Sequence, residues 1–284
     1  MKTFFSTVAT VVALLLVGCA KENSAEFVPA NNGDTLTIGL AETKTYLGPL
    51  VEGTRKVYWS EDDQIKADEH TSTAIAISEA NAGVASFTFA NGLLEYPCNI
   101  LYPAEIWKDA STVTLPAVQA AATGSYGVDA APMVAVADGV NAPTLKHLIG
   151  VIRLRIKASD NVHTDLRLVE FRGNNKEQVS GDFNIDYATA TLTDKGLTAT
   201  KDLKVSAKVA QILTTESAID LFVVVPAREY TNGFTVTLID KNGHYMEKSK
   251  TTALSLAKGE IYAMPELEFK PTGTKFDVEI SSAE

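Results

Sequence analysis

Residues 234–246 read Phe-Thr-Val-Thr-Leu-Ile-Asp-Lys-Asn-Gly-His-Tyr-Met. Phe234, Val236 and Leu238 alternate with threonines, which is the two-residue period of a half-buried β-strand. Asn242-Gly243 then predicts a tight turn, because both residue types tolerate positive φ, and the apolar residues that follow predict a returning strand. This stretch therefore indicates an antiparallel β-hairpin.

The same period recurs towards the N-terminus. Leu36, Ile38 and Leu40 alternate with small or polar residues, and one long strand is predicted over 145–156. Other predicted strands cover 57–59, 74–77, 85–89, 100–102, 113–115, 133–136, 166–171, 183–185, 203–205 and 219–225. The alanine-rich stretch 117–122 is predicted as one helical turn or a small-residue loop. Short strands every 8–12 residues favour an all-β protein built from β-sandwiches.

The first twenty of the 284 residues predict an export signal. Lys2 precedes an apolar run between Val8 and Val17, which is too short to cross about 30 Å of hydrocarbon. Removal of residues 1–18 leaves 266 residues, enough for two domains of about 130 residues each. We expect a tether at 19–34, one β-sandwich at 35–141, a second at 142–270 and a separate tail at 271–284.

The signal ends in Leu16-Val17-Gly18-Cys19, a pattern typical of lipoprotein signals. A thiol at this point can accept a diacylglycerol, and the small residues before it admit the peptidase. Cys19 is therefore predicted to become the acylated first residue. Each acyl CH₂ buried in a membrane contributes about 0.8 kcal/mol, so several chains would anchor the protein firmly. The alternative is an ordinary signal peptide that happens to end in cysteine.

Composition excludes several classes of protein. Hydrophobic residues make up 45% and charged residues 21% of the chain, as in globular proteins with cores, and not as in disordered tails, coiled coils or multi-span membrane proteins. The net charge of −10, or −11 without Lys2, repels phosphate backbones, so we expect no nucleic-acid partner. If Cys19 is acylated, Cys98 has no partner for an intrachain disulfide, and it is predicted to be a small core residue.

No pattern of catalytic residues is present. The sequence lacks a Gly-x-Ser-x-Gly elbow and a phosphate-binding glycine loop. Glu61-Asp62-Asp63 is predicted to be a solvated hairpin tip. Asp240 begins a stretch that resembles a calcium loop, but Lys248 and Thr251 stand near the positions of the later acidic ligands. No ligand-spaced partner stands beside any of the four histidines, His70, His147, His163 and His244. We therefore expect no enzyme activity, no cofactor and no metal site.

An ordered set of motifs resembles the fimbrillin-like pilus subunits of gut and oral Gram-negative bacteria. After the lipoprotein signal come Lys44-Thr45-Tyr46-Leu47, Val57-Tyr58-Trp59, Asp62-Asp63-Gln64-Ile65, Tyr102-Pro103-Ala104, Leu145-Lys146-His147-Leu148, Val224-Val225-Pro226-Ala227, Gly233-Phe234-Thr235-Val236 and Gly259-Glu260-Ile261-Tyr262. Asp62-Asp63 replaces the Gly-Asp of the family. The set extends over the whole chain in the family's order.

This resemblance implies two tandem transthyretin-like β-sandwich domains in a fimbrium that supports adhesion. Subunits of the family travel as lipoproteins to the cell outer membrane, where a surface protease cuts after a basic residue and removes the N-terminal strand. A strand of the neighbouring subunit then fills the groove, which is β-augmentation. The implied partners are other copies of this chain and related pilus subunits, the outer membrane through the lipid, and a host or bacterial surface ligand.

Two segments match these roles. Arg55 and Lys56 lie in a polar connector that contains Gly53, where cleavage would release residues 19–55 or 19–56; the alternative is an uncut hairpin loop. In the tail, Phe276, Val278 and Ile280 alternate on one face. They are predicted to form the donor strand, which would enter the groove vacated by residues 35–47 in the next subunit. The alternative is that the tail pairs with its own subunit as an edge strand.

The length favours a shaft subunit, and the sequence also fits two other functions. An anchor subunit of the same pilus would keep its lipid and its N-terminal strand. A surface glycan-binding lipoprotein would need exposed aromatic rings, for which the chain offers Trp59 and Trp107. The alternation with Val57 predicts that Trp59 faces a core, whereas Trp107 lies in a predicted loop and is the better candidate for exposure.

Overall fold

The structure is a computed structural model. It describes residues 35–40, 46–51, 54–59, 62–78, 81–89, 94–122, 124–127, 130–139, 143–196 and 205–275. All of these belong to one compact unit, Gly33–Glu284. Apart from one turn of 3-10 helix at Ala104–Ile106, every regular element among them is a β-strand, so the predicted all-β class is confirmed. Within the same residues, no helix has the length and apolar character needed to cross a membrane.

The strands are numbered in chain order. Those up to residue 147 are β1 (Thr35–Leu40), β2 (Tyr46–Val51), β3 (Thr54–Tyr58), β4 (Lys66–Ala67), β5 (His70–Ser78), β6 (Asn81–Phe89), β7 (Cys98–Tyr102), β8 (Trp107–Asp109), β9 (Thr112–Leu115), β10 (Val118–Ala122), β11 (Ser125–Tyr126), β12 (Met133–Ala137) and β13 (Thr144–His147). Those after it are β14 (Ile149–Ala158), β15 (Asp165–Gly173), β16 (Gly181–Asp186), β17 (Thr191–Asp194), β18 (Val205–Ile212), β19 (Ile219–Pro226), β20 (Glu229–Tyr230), β21 (Phe234–Asp240), β22 (His244–Lys250), β23 (Leu254–Ser255), β24 (Ile261–Ala263), β25 (Leu267–Phe269) and β26 (Gly273–Thr274).

The N-terminal strands form a closed sheet in the order β1-β13-β12-β7-β4-β5-β6, with β6 pairing back to β1. One face of each strand points inwards, which is why the apolar residues alternate along it. The enclosed core contains Leu36, Ile38, Trp59, Ile65, Ala67, Ala85, Phe87, Phe89, Cys98, Ile100, Tyr102, Met133, Ala135, Ala137 and Leu145.

Most of the strands after residue 147, together with β10 and β11, form two sheets that share a core, as in a sandwich. A seven-stranded sheet in the order β11-β10-β18-β15-β21-β22-β26 packs its apolar residues against those of a sheet in the order β19-β14-β24. Strand β14 supplies Ile152, Leu154 and Ile156 to this core, and β21 supplies Phe234 and Val236. The apolar face that the alternation predicted for the end of the long strand is therefore confirmed.

A third core lies on the other face of β14 and β19. Ile149 and Val151 of β14 and Phe222 of β19 pack there with Val113 and Phe183, which belong to the sheet β17-β16-β9-β8. This core takes residues from both sides of the predicted boundary between 141 and 142. The division into two sandwiches stays a prediction.

The structure corrects two local predictions. The stretch 117–122 is neither helix nor loop, because β10 pairs in parallel with β18 and the Gln119 side chain bonds both main-chain groups of Val224. The predicted strand 145–156 is interrupted at Leu148, whose N–H donates to the Pro132 carbonyl. Strand β13 consequently joins the closed sheet, and β14 joins the sandwich.

The predicted hairpin is confirmed as β21 and β22, with Ile239 opposite Tyr245. Gly243 has a φ of +80°, and a Cβ there would lie 2.5 Å from the Lys275 carbonyl oxygen. Only glycine meets both conditions without strain, because positive φ is costly for other residues and the close approach leaves no room for a side chain.

Candidate functional site

Strand β1 lies between two partners in the closed sheet. It pairs antiparallel with β6 from Thr35 to Gly39, and parallel with β13 at Gly39 and Leu40. Because β1 pairs with β6 on one side and with β13 on the other, it closes the sheet. Its removal would leave β6 unpaired from Val84 to Thr88 and β13 unpaired at Thr144 and Leu145, and would open a slot at the position of β1.

The two faces of β1 differ sharply in burial. Leu36 and Ile38 are fully buried and belong to the core of the closed sheet. On the opposite face, Thr37 is half-buried, and its hydroxyl lies 3.1 Å from the hydroxyl of Ser86 on β6. The slot therefore has an apolar floor that accepts side chains two residues apart, with a polar outer surface.

The aromatic and acidic residues of the Trp59–Ile65 motif support the core beneath β1. Trp59 is buried, as predicted, and its ring packs edge-on against Phe87 at 4.9 Å and Tyr102 at 5.3 Å between centroids. The Tyr102 hydroxyl donates to the buried carboxylate of Asp63 at 2.8 Å. The prediction of a solvated acidic tip is wrong for Asp63, because this hydrogen bond stabilises its burial, and it holds for the exposed Asp62.

Arg55 and Lys56 lie in β3, which pairs with β2 in a two-stranded hairpin and places Arg55 opposite Leu50. The predicted connector is therefore shorter than expected, since the strand already begins at Thr54. Cleavage after Arg55 or Lys56 stays a prediction. Such a cut would fall inside β3 and would separate β1 and β2 from the rest of the chain.

The start of the tail lies on its own subunit. Strand β26 pairs with β22, and the N–H of Lys275 donates to the Gly243 carbonyl at 2.8 Å. The ammonium of Lys275 is also 3.4 Å from the Glu170 carboxylate. The predicted donor residues Phe276, Val278 and Ile280, and the predicted lipidation site Cys19, lie outside the described residues, so both assignments stay predictions.

The side chain of Trp107 is less exposed than its position in a predicted loop suggested. It is the first residue of β8, half-buried, with the Lys66 ammonium 4.5 Å from the centre of its ring. An aromatic platform for a sugar needs an open ring face. Trp59 does not meet that need, since it lies in the core, and Trp107 is partly packed against a second core.

Cys98 is a core residue, as predicted, with 2% of its surface exposed. Burial raises the pKa of its thiol to about 11, and the nearby Asp68 carboxylate adds to the shift. His147, on β13, is also buried, and burial lowers its pKa to about 4, although a hydrogen bond with the Pro132 carbonyl opposes that shift. Both side chains are therefore uncharged at neutral pH.

The structure brings together His163 and His244, which are far apart in the sequence. Nδ1 of His163 lies 3.1 Å from Oδ2 of Asp240, and Nδ1 of His244 lies 2.9 Å from the same oxygen. Burial raises the pKa of the Asp240 carboxyl, but hydrogen bonds from both rings and from the Asn242 and His244 amides lower it below its usual range. Asp240 precedes His244 by four residues, whereas His163 is 77 residues from Asp240, so the expectation that no histidine has a ligand-spaced partner is wrong. The expectation of no metal site stays a prediction. No sequence motif marks this cluster.

No protein-family model matches the chain, and a search of curated proteins gave no significant match. Similar solved structures include proposed cell adhesion proteins from Bacteroides ovatus, with 14% identity and a TM-score of 0.48, and from Bacteroides uniformis, with 15% and 0.44. Each likeness covers 81% of this chain and 91% of the other. A fimbrial protein from Bacteroides ovatus has 10% identity and a TM-score of 0.36 over 82% of this chain and 49% of its own. Likenesses this weak assign neither a family nor a function.

Proposed function

We propose that this chain is a structural subunit of a cell-surface fimbrium that supports adhesion and polymerises by strand exchange. The proposal begins from the ordered motifs of the sequence, and the observation that carries it is the position of β1. The first strand of the unit closes a sheet between β6 and β13 and buries Leu36 and Ile38 completely. A strand in this position, once removed, leaves unpaired main-chain groups on β6 and an uncovered apolar core, which a strand from another subunit would pair with and cover.

The chemistry of export precedes assembly. In this proposal Cys19 receives the lipid, and the precursor reaches the outer membrane with its N-terminal strand still in place. The precursor is then stable, because β1 covers the core. Cleavage after Arg55 or Lys56 releases β1 with the lipid and converts the stable precursor into a subunit with an open slot.

The tail supplies the complementary strand. Phe276, Val278 and Ile280 have the same two-residue spacing as Leu36 and Ile38, so they match the floor of the slot. Burying each of the three contributes roughly 1.5–3 kcal/mol, and together at most about 5–9 kcal/mol. Main-chain hydrogen bonds to β6 and β13 then fix the register.

The test is controlled cleavage of the purified protein, followed by size-exclusion chromatography, electron microscopy and N-terminal sequencing. We expect polymers whose chains begin at Lys56 or Val57. The matched control carries Arg55→Ala and Lys56→Ala, keeps β1 and should stay monomeric. Polymers that begin near Ala20 would reverse the assignment, because an uncut chain with its lipid is an anchor subunit.

A further inference from the structure

The cluster of His163, Asp240 and His244 joins two separate loops. His163 lies in the connection between β14 and β15, and the other two residues flank the turn between β21 and β22. Their three ligand atoms all lie within 4.8 Å of one another. The two rings meet edge to face, with 4.6 Å between their centroids.

The Asp240 carboxylate is preorganised by hydrogen bonds from main-chain amides. Asp240 is 2% exposed, and its Oδ1 accepts the N–H groups of Asn242 at 2.8 Å and His244 at 2.9 Å. Its second oxygen, Oδ2, consequently faces the two imidazole rings. The neighbouring Lys241 is directed elsewhere, since its ammonium lies 3.5 Å from the Asp165 carboxylate.

The loop that carries His163 is held in the same way. Oδ1 of Asp160 accepts the N–H of Val162 at 2.8 Å and that of His163 at 2.9 Å. Both loops are therefore preorganised by main-chain hydrogen bonds to an aspartate. Outer hydrogen bonds of this kind set the orientation of ligand side chains in metal sites.

We propose that His163, Asp240 and His244 bind a divalent transition metal ion, of which Zn²⁺ is the best match. Two imidazole nitrogens and one carboxylate oxygen are a common donor set for zinc, with bonds of about 2.0–2.2 Å. Donors at that distance and tetrahedral angles lie about 3.3 Å apart. The observed separations from Oδ2, 3.1 and 2.9 Å, need only small shifts to reach this geometry.

Binding requires a defined state of each ring. A neutral imidazole carries one proton, and a metal ion at Nδ1 places that proton on Nε2. The side chains of His163 and His244 are 24% and 33% exposed, so an ion can reach them from solvent. Three protein ligands leave a fourth tetrahedral position for water.

The bound ion would tie the β14–β15 loop to the β21–β22 turn. That turn also holds the start of the tail, because Gly243 accepts the Lys275 N–H and His244 pairs with Thr274. The ion would therefore stabilise the turn on which the tail begins. This inference does not depend on the proposed function.

The experiment is titration of the purified protein, without a polyhistidine tag, with Zn²⁺ by calorimetry and thermal unfolding. We expect one Zn²⁺ per chain and an unfolding temperature about 5–10 °C higher at a Zn²⁺ concentration about 100-fold above Kd. His163→Gln and His244→Gln retain a side-chain N–H that can donate to Asp240 but lose the imidazole. Each should weaken binding by at least about tenfold, since the loss of outer-shell partners alone costs about 10–100-fold.

The control is His70→Gln, which removes an exposed histidine from β5 and should bind Zn²⁺ like the parent. Cobalt provides a second readout, because Co²⁺ with two nitrogen ligands and one carboxylate ligand would give visible absorption that both cluster variants lose. No Zn²⁺ binding by the parent protein, or equal binding by all variants, would overturn the proposal. The three side chains would then form a hydrogen-bonded cluster only.

Discussion

The first and last described strands, β1 and β26, differ in almost every physical respect. Strand β1 pairs on both sides and buries Leu36 and Ile38 completely. Strand β26 has two residues, pairs with β22 alone in the described structure, and leaves Thr274 exposed. One terminal strand is part of a core, and the other lies at the edge of a different sheet.

This difference indicates how each strand can be used. An edge strand with few contacts can leave its sheet at little cost, whereas a central strand leaves a gap in a core. Exchange between subunits needs both kinds, a slot that must be filled and a segment that is free to fill it.

The largest effect is expected at β1. Ile38→Ala should lower the free energy of unfolding by about 2–5 kcal/mol, because it removes a fully buried side chain from a closed sheet. Thr274→Ala in β26 is the matched change and should alter it by less than about 0.5 kcal/mol. Denaturant unfolding of both variants measures the contrast. Similar losses of stability in the two variants would show that β26 contributes as much to the folded state as β1.

The second prediction concerns His147 on β13, the parallel partner of β1. The pKa of the His147 imidazole is about 6.5 in the unfolded chain and about 4 in the folded chain. Between these values the unfolded state holds more protons, so stability falls as pH falls from about 6.5 to 4. The shift corresponds to about 3 kcal/mol.

The measurement is denaturant unfolding of the parent and of His147→Gln at pH 7.5, 5.5 and 4.5. Other groups also titrate in this range, so the informative quantity is the difference between the two slopes. The variant should lose less stability towards low pH than the parent. An unchanged slope would show that the buried imidazole is not the source.

A smaller effect is expected for the tail. Deleting residues 274–284 removes the Lys275–Gly243 hydrogen bond and the Lys275–Glu170 ion pair. These contacts are worth about 1–2 kcal/mol together, or about 2–8 °C in the unfolding temperature. The truncated chain should stay a folded monomer and should not polymerise after cleavage.

A matched variant separates these two effects. Phe276→Ser, Val278→Ser and Ile280→Ser together keep β26 and remove the apolar face, so polymerisation should stop without a change in unfolding temperature. Normal polymerisation of either variant would remove the donor-strand role. A large loss of monomer stability would instead show that the tail packs on its own subunit.

The smallest expected effect concerns Cys98, whose reactivity reports how often the core beneath β1 opens. With Cys19 replaced by serine, Cys98 is the remaining thiol, and its pKa of about 11 leaves about 240-fold less thiolate at pH 8 than a pKa of about 8.5 would. Thiol reagents should react slowly with the native protein and quickly in denaturant. Fast reaction of the native protein would mean that the closed sheet opens often.

Local patterns predicted many of the strands and the C-terminal hairpin correctly. The alternation of Phe234, Val236 and Leu238 and the Asn242-Gly243 turn depend on neighbours within a few residues, which the sequence displays directly. The burial of Trp59 and Cys98 also followed from local alternation and residue type. The all-β class is the sum of many such local signals.

Pairing between remote segments could not be predicted in this way. The alanines of 117–122 form β10 because β18 and Val224 supply hydrogen-bond partners from far along the chain. Asp63 is buried because Tyr102 reaches it. No local pattern encodes either partner.

By itself, the amino-acid sequence determined that this chain forms strands, where many of them lie, and which face is apolar in those that alternate. The tertiary structure alone decided that β1 closes a sheet between β6 and β13, and that His163 meets His244 at Asp240. The physical reason is that strand periodicity and turn geometry are set by neighbouring residues. Which strands pair depends on the burial and hydrogen bonding of the whole chain at once.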